Sequence, residues 1–337
     1  MIQCEGITIA IIQAQLSKRI SILGAGAFGT SLAIAYSGNY DEVLLYSCFQ
    51  DHVDTTNKNR VNEFLPQFEL PGNVSMRLLD KHDTSIACSD YIFWAFPVKV
   101  TRDIIGATKN VFAESNVVIC SKGILDNGTY LFNLFEDELR GSIISYLAGP
   151  NLAIDLASHK VSCANIAARN MDNAKRFAQD LSNNILKLYP TDDVDGIQIC
   201  SAVKNVIAIA CGIISGLQLG HDAHAAIITL GLNELCRLGN ALGCKNETFL
   251  SFCGIGDMIL TSSSELSRNM SLGKSLIDNE PNVCVNNPNA TCEGYNTISQ
   301  LLKIASDNNV SMPVCEMVGK IIRGERTAHN IVDVFAQ

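Results

Sequence analysis

The sequence lacks the cysteine spacing of a disulfide framework or a metal site. Its 337 residues include 13 cysteines, an odd number, and no two of them form a C-x-x-C pair. Most lie within apolar runs, as Cys120 does in residues 117–120, so we expect buried, reduced thiols. Because such thiols suit a reducing cytosol, we predict a cytoplasmic protein without a metal site.

The sequence is also poor in clustered basic residues and in long apolar runs near its start. It has 25 Lys and Arg against 34 Asp and Glu, a formal net charge of -9, which argues against a nucleic-acid partner. The apolar run at residues 7–12 is too short to span a bilayer and lacks the flanks of a signal peptide. We therefore expect no membrane insertion, and any phosphate-bearing ligand should be small.

What the sequence does contain is enough apolar residues for a large core. Apolar residues make up 47% and charged residues 18%, and the length allows two domains with a cleft between them. From residue 19 onward, short β-branched runs alternate with stretches of crossover length, which predicts a buried, mostly parallel sheet. The predicted strands are residues 20–23, 43–46, 91–95, 117–120 and 143–147.

After Tyr189 and Pro190 the sequence changes to long apolar stretches with few strand signals. These stretches predict helices at residues 197–214, 223–242, 298–308 and 314–322. The predicted fold is α/β, with a Rossmann-like, mostly parallel sheet domain over residues 19–190 and an all-α C-terminal domain over residues 191–337. Residues 1–18 are an N-terminal extension, for which an extra edge strand and an artefact of the start codon are both open.

A glycine-rich loop, GAGAFG, directly follows the first predicted strand and opens a helix. Gly24 suits the tight turn, Gly26 lets the backbone approach a pyrophosphate, and Gly29 lets helix and strand pack closely. This context predicts a dinucleotide site. After the second strand, Ser47 and Cys48 offer neither the acid typical of NAD nor the base typical of NADP, so the preferred nucleotide stays open.

Three charged residues, Lys122, Lys204 and Asp257, interrupt otherwise apolar sequence. Because an unpaired buried charge is costly, we expect them to be one another's partners. Reducing a ketone by hydride creates an alkoxide, and a lysine pair with one carboxylate supplies the proton donor and the cations that it needs. The alternatives are a Lys204 that reaches solvent and an Asp257 that caps a helix. Thr261, four residues beyond Asp257, can share its helical face.

A second polar segment, Ser267-Arg268-Asn269, places a guanidinium between two hydrogen-bonding side chains. Because a guanidinium offers paired, planar donors, this grouping suits a phosphate dianion. A solvated surface arginine is the alternative.

Together these segments resemble the bacterial NAD(P)-dependent glycerol-3-phosphate dehydrogenases over nearly the whole chain from residue 19 onward. The motifs that carry the resemblance are GAGAFGT at 24–30, NEFLP at 62–66, SKG at 121–123, GP at 149–150, AVKNV at 202–206, GIGD at 254–257, SRN at 267–269 and EG at 293–294. So many ordered motifs are far less expected by chance than any one of them.

The resemblance implies a reaction and a role for each matching residue. Lys204 would be the general acid to the carbonyl of dihydroxyacetone phosphate, Lys122 would assist at the same oxygen, and Asp257 would orient the lysine. NAD(H) or NADP(H) would be the cofactor, and the product would be sn-glycerol 3-phosphate for glycerophospholipid synthesis. The substrate would be held by Asn205, Thr261, Ser267, Arg268, Asn269, Gly149 and Asn151. The cofactor would contact Gly24, Gly26, Ala27, Phe28, Gly29, Lys122, Ala153, Arg268 and Glu293.

Two segments depart from the family's pattern. After its Gly-Pro pair the family usually continues with Ser or Thr and then Phe, whereas this chain has Asn151 and Leu152. At the end of the second strand the family often carries Trp-x-Arg, where this chain has Tyr46-Ser47-Cys48. A basic clamp on the extra phosphate of NADP is therefore missing.

Other functions stay open on the sequence. A β-hydroxyacid dehydrogenase with a Rossmann domain and a helical domain also uses a helix-borne lysine, but Arg268 and the loop of Lys122 argue against it. A non-catalytic dinucleotide-sensing module would not need Lys122, Lys204 and Asp257 together. The apolar helices within residues 197–242 can form the interface of a homodimer or the core of a domain.

Overall fold

A sheet of eight strands organises the first part of the chain in the computed structural model, which describes residues 18–112, 114–125, 128–278 and 292–336. Its strands are β1 (Arg19–Leu23), β2 (Glu42–Ser47), β3 (Val74–Leu78), β4 (Tyr91–Trp94), β5 (Asn116–Ile119), β6 (Ile143–Ala148), β7 (Ser162–Ala167) and β8 (Leu186–Thr191). Of the extension expected at residues 1–18, only Lys18 is among the described residues.

The strands lie in the order β3-β2-β1-β4-β5-β6-β7-β8. The first six are parallel, whereas β7 runs antiparallel to β6 and β8 runs parallel to β7. The order of the six parallel strands is that of a dinucleotide-binding Rossmann sheet, in which ligands bind at the carboxyl ends of the strands where the winding reverses, here between β1 and β4.

All five predicted strands are present, as β1, β2, β4, β5 and β6, and the predicted α/β class is confirmed. Strands β3, β7 and β8 were not predicted. The edge strands β3 and β8 alternate buried with more exposed positions, whereas a buried parallel strand is marked by a continuous apolar run. Strand β7 consists mainly of small residues around Asn165. Pro190 is tolerated in β8 because that strand pairs with β7 alone.

Helices cover both faces of the sheet. They are α1 (Ala27–Tyr36), α2 (Gln50–Asn59), α3 (Val98–Thr108), α4 (Leu131–Glu138), α5 (Ala153–Ala157) and α6 (Met171–Leu181). Because successive strand residues point to opposite faces, Val43 and Leu45 of β2 join the core cluster of α1 and α6. Leu44 and Tyr46 join the cluster that continues into the helices beyond residue 193.

The rest of the described chain is helical around one long central helix, α7. The elements are α7 (Val194–Gly216), α8 (Gly220–Ala241), α9 (Asn246–Phe249), a π-helical turn (Phe252–Gly256), α10 (Asp257–Ser263), α11 (Arg268–Ser275), α12 (Glu293–Asp307), α13 (Pro313–Ile322) and a 3₁₀ segment (Ala328–Ala336). The four predicted helices correspond to α7, α8, α12 and α13, so the helical C-terminal half is confirmed.

Helix α7 is apolar and buried on every side. Among the described residues it alone has the length and composition of a membrane span, but all of its most apolar window is buried inside the chain. Helix α11 packs directly on it, since a Cβ on Gly212 of α7 would collide with the carbonyl oxygen of Met270, and one on Gly273 of α11 with that of Ile209. The backbones of the two helices therefore touch, which fixes the start of α11 beside the middle of α7.

Candidate active site

The glycine loop lies at the carboxyl end of β1 with the geometry that its spacing predicts. Gly24 has φ +116°, and a Cβ there would lie 2.6 Å from the carbonyl carbon of Ala95. A Cβ on Gly29 would collide with the carbonyl oxygen of Gly24, whereas one on Gly26 would meet no atom within 4 Å. Gly24 and Gly29 thus serve the turn and the packing, while Gly26 faces open space.

Helix α1 begins at this loop with a free amino-terminal end. Gly26 is its N-cap, no side chain caps it, and its first turn contains no acid. Ala27 and Phe28 form the start of that turn, where backbone N–H groups lack intrahelical acceptors. Because such an end attracts anions, the loop fits the pyrophosphate of a dinucleotide.

The three charged residues that interrupt apolar sequence meet at one point. The Nζ of Lys204 lies 2.7 Å from one carboxylate oxygen of Asp257, and the Nζ of Lys122 lies 2.8 Å from the other. Thr261 accepts a hydrogen bond from Lys204 at 3.0 Å and donates one to Asp257 at 3.1 Å. Lys122 also donates to the carbonyl oxygen of Gly149 at 3.2 Å. The predicted partnership of the three charges is confirmed.

Burial shifts the pKa values of Lys204 and Asp257. Only 5% of the Lys204 side chain and 3% of that of Asp257 are exposed. Burial lowers the pKa of Lys204 to about 7, since the attraction of Asp257 opposes it only in part and Lys122 adds repulsion. Burial alone would raise the pKa of Asp257, but the two ammonium groups outweigh it and hold that pKa below its ordinary value. The site therefore offers a lysine that can give up or accept a proton near neutral pH.

A buried tyrosine binds the loop that carries Lys122. The hydroxyl of Tyr146 in β6 donates to the carbonyl oxygen of Ser121 at 2.7 Å, directly before Lys122. Ser201, which precedes Lys204 by about one turn of α7, lies near the same hydroxyl. Tyr146 therefore binds the loop after β5 and lies close to the helix that carries Lys204.

A chain of amides joins α7 to the starts of α11 and α12. Asn205 accepts a hydrogen bond from the side chain of Asn269 at 3.1 Å, and Asn269 accepts one from the backbone N–H of Gly294 at 3.0 Å. Ser267 caps α11 by accepting from the N–H of Met270. Arg268 is exposed at the first position of that helix.

Glu293 lies beside Gly123, the residue that follows Lys122. A Cβ on Gly123, whose φ is +147°, would lie 3.2 Å from its carboxylate and 3.1 Å from the hydroxyl of Thr297. Burial raises the pKa of Glu293 to about 7, although Arg268 and a hydrogen bond from the N–H of Val98 both lower it. Glu293 thus joins the loops after β4 and β5 to the start of α12.

The loop after β6 contains the three remaining predicted site residues. Gly149 has no room for a side chain, because a Cβ there would lie 2.6 Å from the Cα of Ala164 in β7. The side chain of Asn151 donates to the carbonyl oxygen of Cys163 at 3.1 Å, so it turns toward β7, and its own oxygen is buried without a partner. Ala153 begins the short helix α5.

A hydrogen-bonded chain connects the end of β2 to the glycine loop. His52 lies 3.0 Å from the hydroxyl of Ser47 and 3.0 Å from the side-chain oxygen of Asn62. Asn62 in turn donates to the carbonyl oxygen of Ala25 at 2.9 Å. Cys48 beside Ser47 is exposed, so its side chain is accessible at the point where a Rossmann sheet meets the adenosine ribose.

The sequence did not single out three residues that support this site. Tyr146 lies in a predicted strand, where an aromatic side chain is expected simply to pack in the core. His52 lies in α2, beyond the end of the second strand, where the sequence gives no sign that it faces the cofactor loop. Asn165 lies in β7, which was not predicted, although a polar residue inside a short run of small residues is the signal that could have marked it.

Comparison with known proteins gives a consistent result. The family model for the N-terminus of NAD-dependent glycerol-3-phosphate dehydrogenase matches residues 19–174, and the model for the C-terminus of the same enzyme matches residues 193–333. The chain is 32% identical over 321 residues to the glycerol-3-phosphate dehydrogenase [NAD(P)+] of Ruthia magnifica subsp. Calyptogena magnifica, covering 94% of this chain and 97% of that protein.

Two further proteins extend the likeness. The glycerol-3-phosphate dehydrogenase [NAD(P)+] of Hyphomonas neptunium is 34% identical over 319 residues, which cover 94% of each chain. The crystal structure of glycerol-3-phosphate dehydrogenase from Coxiella burnetii superposes with a TM-score of 0.86 at 28% identity, over 95% of this chain and 99% of that one. The similarity therefore extends over both halves of the fold.

Proposed function

This chain belongs to the NAD-dependent glycerol-3-phosphate dehydrogenase family, and on that basis we propose that it catalyses the reversible, NAD(P)H-dependent reduction of dihydroxyacetone phosphate to sn-glycerol 3-phosphate. The observation that carries the proposal is the buried ammonium of Lys204, 2.7 Å from Asp257, with the ammonium of Lys122 on the same carboxylate. Ketone reduction needs a proton donor and a cation at one oxygen, and this pair supplies both.

In this proposal Lys204 is the general acid. Its Nζ donates a proton to the ketone oxygen as negative charge develops there, and in the reverse direction the neutral amine accepts the proton from the alcohol. A pKa of about 7 lets one group serve both directions near neutral pH. Asp257 and Thr261 hold the Nζ in place through contacts of 2.7 and 3.0 Å.

Lys122 stabilises the developing oxyanion as a fixed cation. Its Nζ is held between Asp257 and the carbonyl oxygen of Gly149, so its position does not depend on the substrate. Because an ionised Asp257 carries one negative charge and faces two lysines, the cluster has a net charge of +1 when both lysines are protonated. This excess positive charge suits an anionic substrate and an anionic transition state.

The phosphate of the substrate is proposed to lie at the start of α11. Arg268 offers planar, paired donors there, and Asn205 and Asn269 line the neighbouring turn of α7 and α11. The hydroxyl of Ser267 accepts from the N–H of Met270, and its own proton can be donated to the phosphate. Asn151 is proposed to act through its loop backbone, because its side chain turns toward β7.

The cofactor is proposed to lie along the carboxyl edge of the sheet. When bound, its nicotinamide supplies the hydride that reduces the ketone carbon. The glycine loop and the first turn of α1, with Ala27 and Phe28, would hold the pyrophosphate. Lys122, Ala153, Arg268 and Glu293 would contact the nicotinamide half, consistent with the closeness of Glu293 to Gly123.

An absorbance assay on the purified chain tests the proposal. We expect dihydroxyacetone phosphate to drive loss of NADH or NADPH absorbance, and a β-keto acid to leave it unchanged. The opposite pattern would support a β-hydroxyacid dehydrogenase. Tight binding of NADH without turnover of any small ketone phosphate would support a dinucleotide-sensing module.

Several further features belong to the same proposal. We propose that residues 19–190 and 191–337 act as the dinucleotide-binding and substrate-binding domains, that the protein is cytoplasmic, and that it forms a homodimer. We also propose that its product feeds glycerophospholipid synthesis. Light scattering on the purified protein measures the oligomeric state directly.

A further inference from the structure

A buried asparagine in the sheet holds the turn that precedes Asp257. Asn165 lies in β7 and is 7% exposed. Its side-chain oxygen accepts a hydrogen bond from the backbone N–H of Cys253 at 2.9 Å, and the hydroxyl of Ser251 lies 2.9 Å from the same oxygen. One side chain of the sheet thus binds the segment that leads into α10.

That segment is a π-helical turn, which is rare and less stable than an α-helical one. The N–H of Gly256 donates to the carbonyl oxygen of Ser251 at 3.2 Å, five residues back, and Asp257 follows at once. A Cβ on Gly254 would collide with the carbonyl oxygen of Phe249, so the turn is closely packed. The N–H of Cys253 belongs to its first residues, which lack acceptors within the turn, and Asn165 supplies the acceptor.

The contacts of Asn165 close a ring around the active site. Asn165 pairs in register with Ala148 of β6, and Gly149 follows Ala148. The carbonyl oxygen of Gly149 accepts a hydrogen bond from Lys122, and Lys122 contacts Asp257. Asp257 directly follows the π-helical turn. The N–H of Cys253 in that turn donates a hydrogen bond to Asn165. A shift at Asn165 therefore moves Asp257 relative to both lysines.

We infer that Asn165 is a positioning residue, whose side-chain oxygen fixes the π-helical turn from which Asp257 reaches Lys122 and Lys204. This inference rests on the proposed function. It extends the mechanism to a residue of β7 whose side-chain oxygen binds Ser251 and Cys253 rather than the lysines. Strand β7, which runs antiparallel to β6, thereby sets the position of the carboxylate of Asp257 in the helical half.

The position of Asp257 has a measurable effect on the proton of Lys204. The charged groups that face Lys204 are Asp257, at the start of α10, and Lys122, in the loop after β5. Asp257 raises the pKa of Lys204 by attraction, whereas Lys122 lowers it. If Asp257 moves away, the pKa of Lys204 falls, and the protonated form that reduction requires is lost at a lower pH.

The test compares two variants at position 165. Asn165→Leu keeps the size but removes the acceptor, and we expect kcat for reduction of dihydroxyacetone phosphate to fall roughly 10- to 100-fold, as for a small misplacement of a catalytic group. KM for the nucleotide should stay unchanged, and the fall of kcat/KM with rising pH should begin at lower pH. Asn165→Asp retains an acceptor oxygen and should recover most of kcat, and because a carboxylate can only raise the pKa of Lys204, the fall of kcat/KM should not move to lower pH.

A matched control separates positioning from stability. Asn73 directly precedes β3, at the amino-terminal edge of the parallel strands, and donates to the carbonyl oxygens of Ser37 and Tyr40. Asn73→Leu should lower the melting temperature without moving kcat or the pH profile. If Asn165→Leu behaves like Asn73→Leu, the inference is wrong. Should Asn165→Leu fail to fold, Asn165→Ala, which removes the acceptor without adding bulk, replaces it with the same expected result.

A second measurement keeps this inference separate from the proposed function. If the unaltered protein turns over no ketone phosphate, the proposed function fails, whatever the variants do. NMR titration of isotope-labelled lysine, with the signal of Lys204 assigned from Lys204→Met, reports its pKa without turnover. A lower pKa in Asn165→Leu supports the inference, and an unchanged pKa overturns it.

Discussion

The ammonium of Lys204 lies 2.7 Å from the carboxylate of Asp257, and both side chains are almost completely buried. Because Lys122 contacts the other oxygen of that carboxylate at 2.8 Å, one negative charge serves two positive ones. Breaking a buried pair of this kind leaves an uncompensated charge, so the three side chains depend on one another.

Replacing Lys204 should abolish most of the activity. We expect Lys204→Ala to lower kcat roughly 10²- to 10⁴-fold, the usual contribution of a general acid, while Lys122 and Asp257 keep their contact. Steady-state kinetics with dihydroxyacetone phosphate measure the loss. Near-normal turnover would remove Lys204 from the mechanism.

The pH dependence of reduction should follow the proton of Lys204. The pKa of Lys204 is lowered to about 7, and reduction needs the protonated form, so kcat/KM should decline as pH rises above about 7. For oxidation, which needs the neutral amine, kcat/KM should decline as pH falls below about 7. Initial rates between pH 5 and 9 in both directions give the two profiles.

Glu293 provides the control for this assignment, because its pKa is also raised to about 7. Glu293→Gln removes its titration but retains an acceptor for the N–H of Val98. If kcat/KM for reduction no longer declines with rising pH in Glu293→Gln, the titrating group is Glu293 and the assignment to Lys204 is wrong.

Arg268 should act mainly through the phosphate of the substrate. We expect Arg268→Ala to raise KM for dihydroxyacetone phosphate by roughly tenfold or more, since a hydrogen bond to a charged group contributes about 1.5–3 kcal/mol. Rates with unphosphorylated dihydroxyacetone should change much less. Arg326→Ala, at an exposed site near the end of the chain, is the control. An unchanged KM for the phosphorylated substrate would mean that the phosphate lies elsewhere.

Two glycines of the loop should have different roles, Gly29 in folding and Gly26 in cofactor binding. Gly29→Ala should destabilise the chain by about 1–3 kcal/mol, because its Cβ collides with the carbonyl oxygen of Gly24. Gly26→Ala meets no protein atom, so the melting temperature without cofactor should stay constant, while Kd for NADH should rise because the Cβ occupies the approach of the pyrophosphate. Calorimetry and titration measure the two effects. Equal effects of both variants on stability would contradict this division of roles.

The exposed end of β2 should allow the nucleotide preference to be changed. Cys48 is exposed beside Ser47, whose hydroxyl already contacts His52. We expect Cys48→Arg to lower KM for NADPH by roughly tenfold, because a guanidinium can pair with the extra phosphate, and to leave KM for NADH nearly constant. Cys48→Gln, of similar length but uncharged, should change neither. A lower KM for both nucleotides in Cys48→Arg would show a general charge effect instead.

Much of this fold can be predicted from the sequence because its signals are local. The glycine loop has a helix N-terminus and a tight turn within six residues, and the central strands are continuous apolar runs. Strand β7 has no such signal. Its small residues and Asn165 act through contacts with Ala148 and the π-helical turn, which form only in the folded chain.

The charged cluster of the site was also predictable, and for a different reason. A charge inside apolar sequence needs a partner wherever the chain folds, so Lys122, Lys204 and Asp257 could be matched without knowledge of their positions. The orientation of Asn151 could not be predicted, because it depends on the carbonyl oxygen of Cys163 in a strand that the sequence did not reveal.

Because β7 and β8 run opposite to the other six strands, the length of the first turns of α7 determines where Lys204 lies. The chain leaves β8 heading away from the carboxyl ends of the six parallel strands, and α7 must bring Lys204 back to Asp257 and Lys122. From Val194 to Lys204 the helix rises about 15 Å. Inserting one residue in that stretch would turn Lys204 by about 100° and shift it by about 1.5 Å, so the spacing between the end of the sheet and Lys204 should tolerate no change in length.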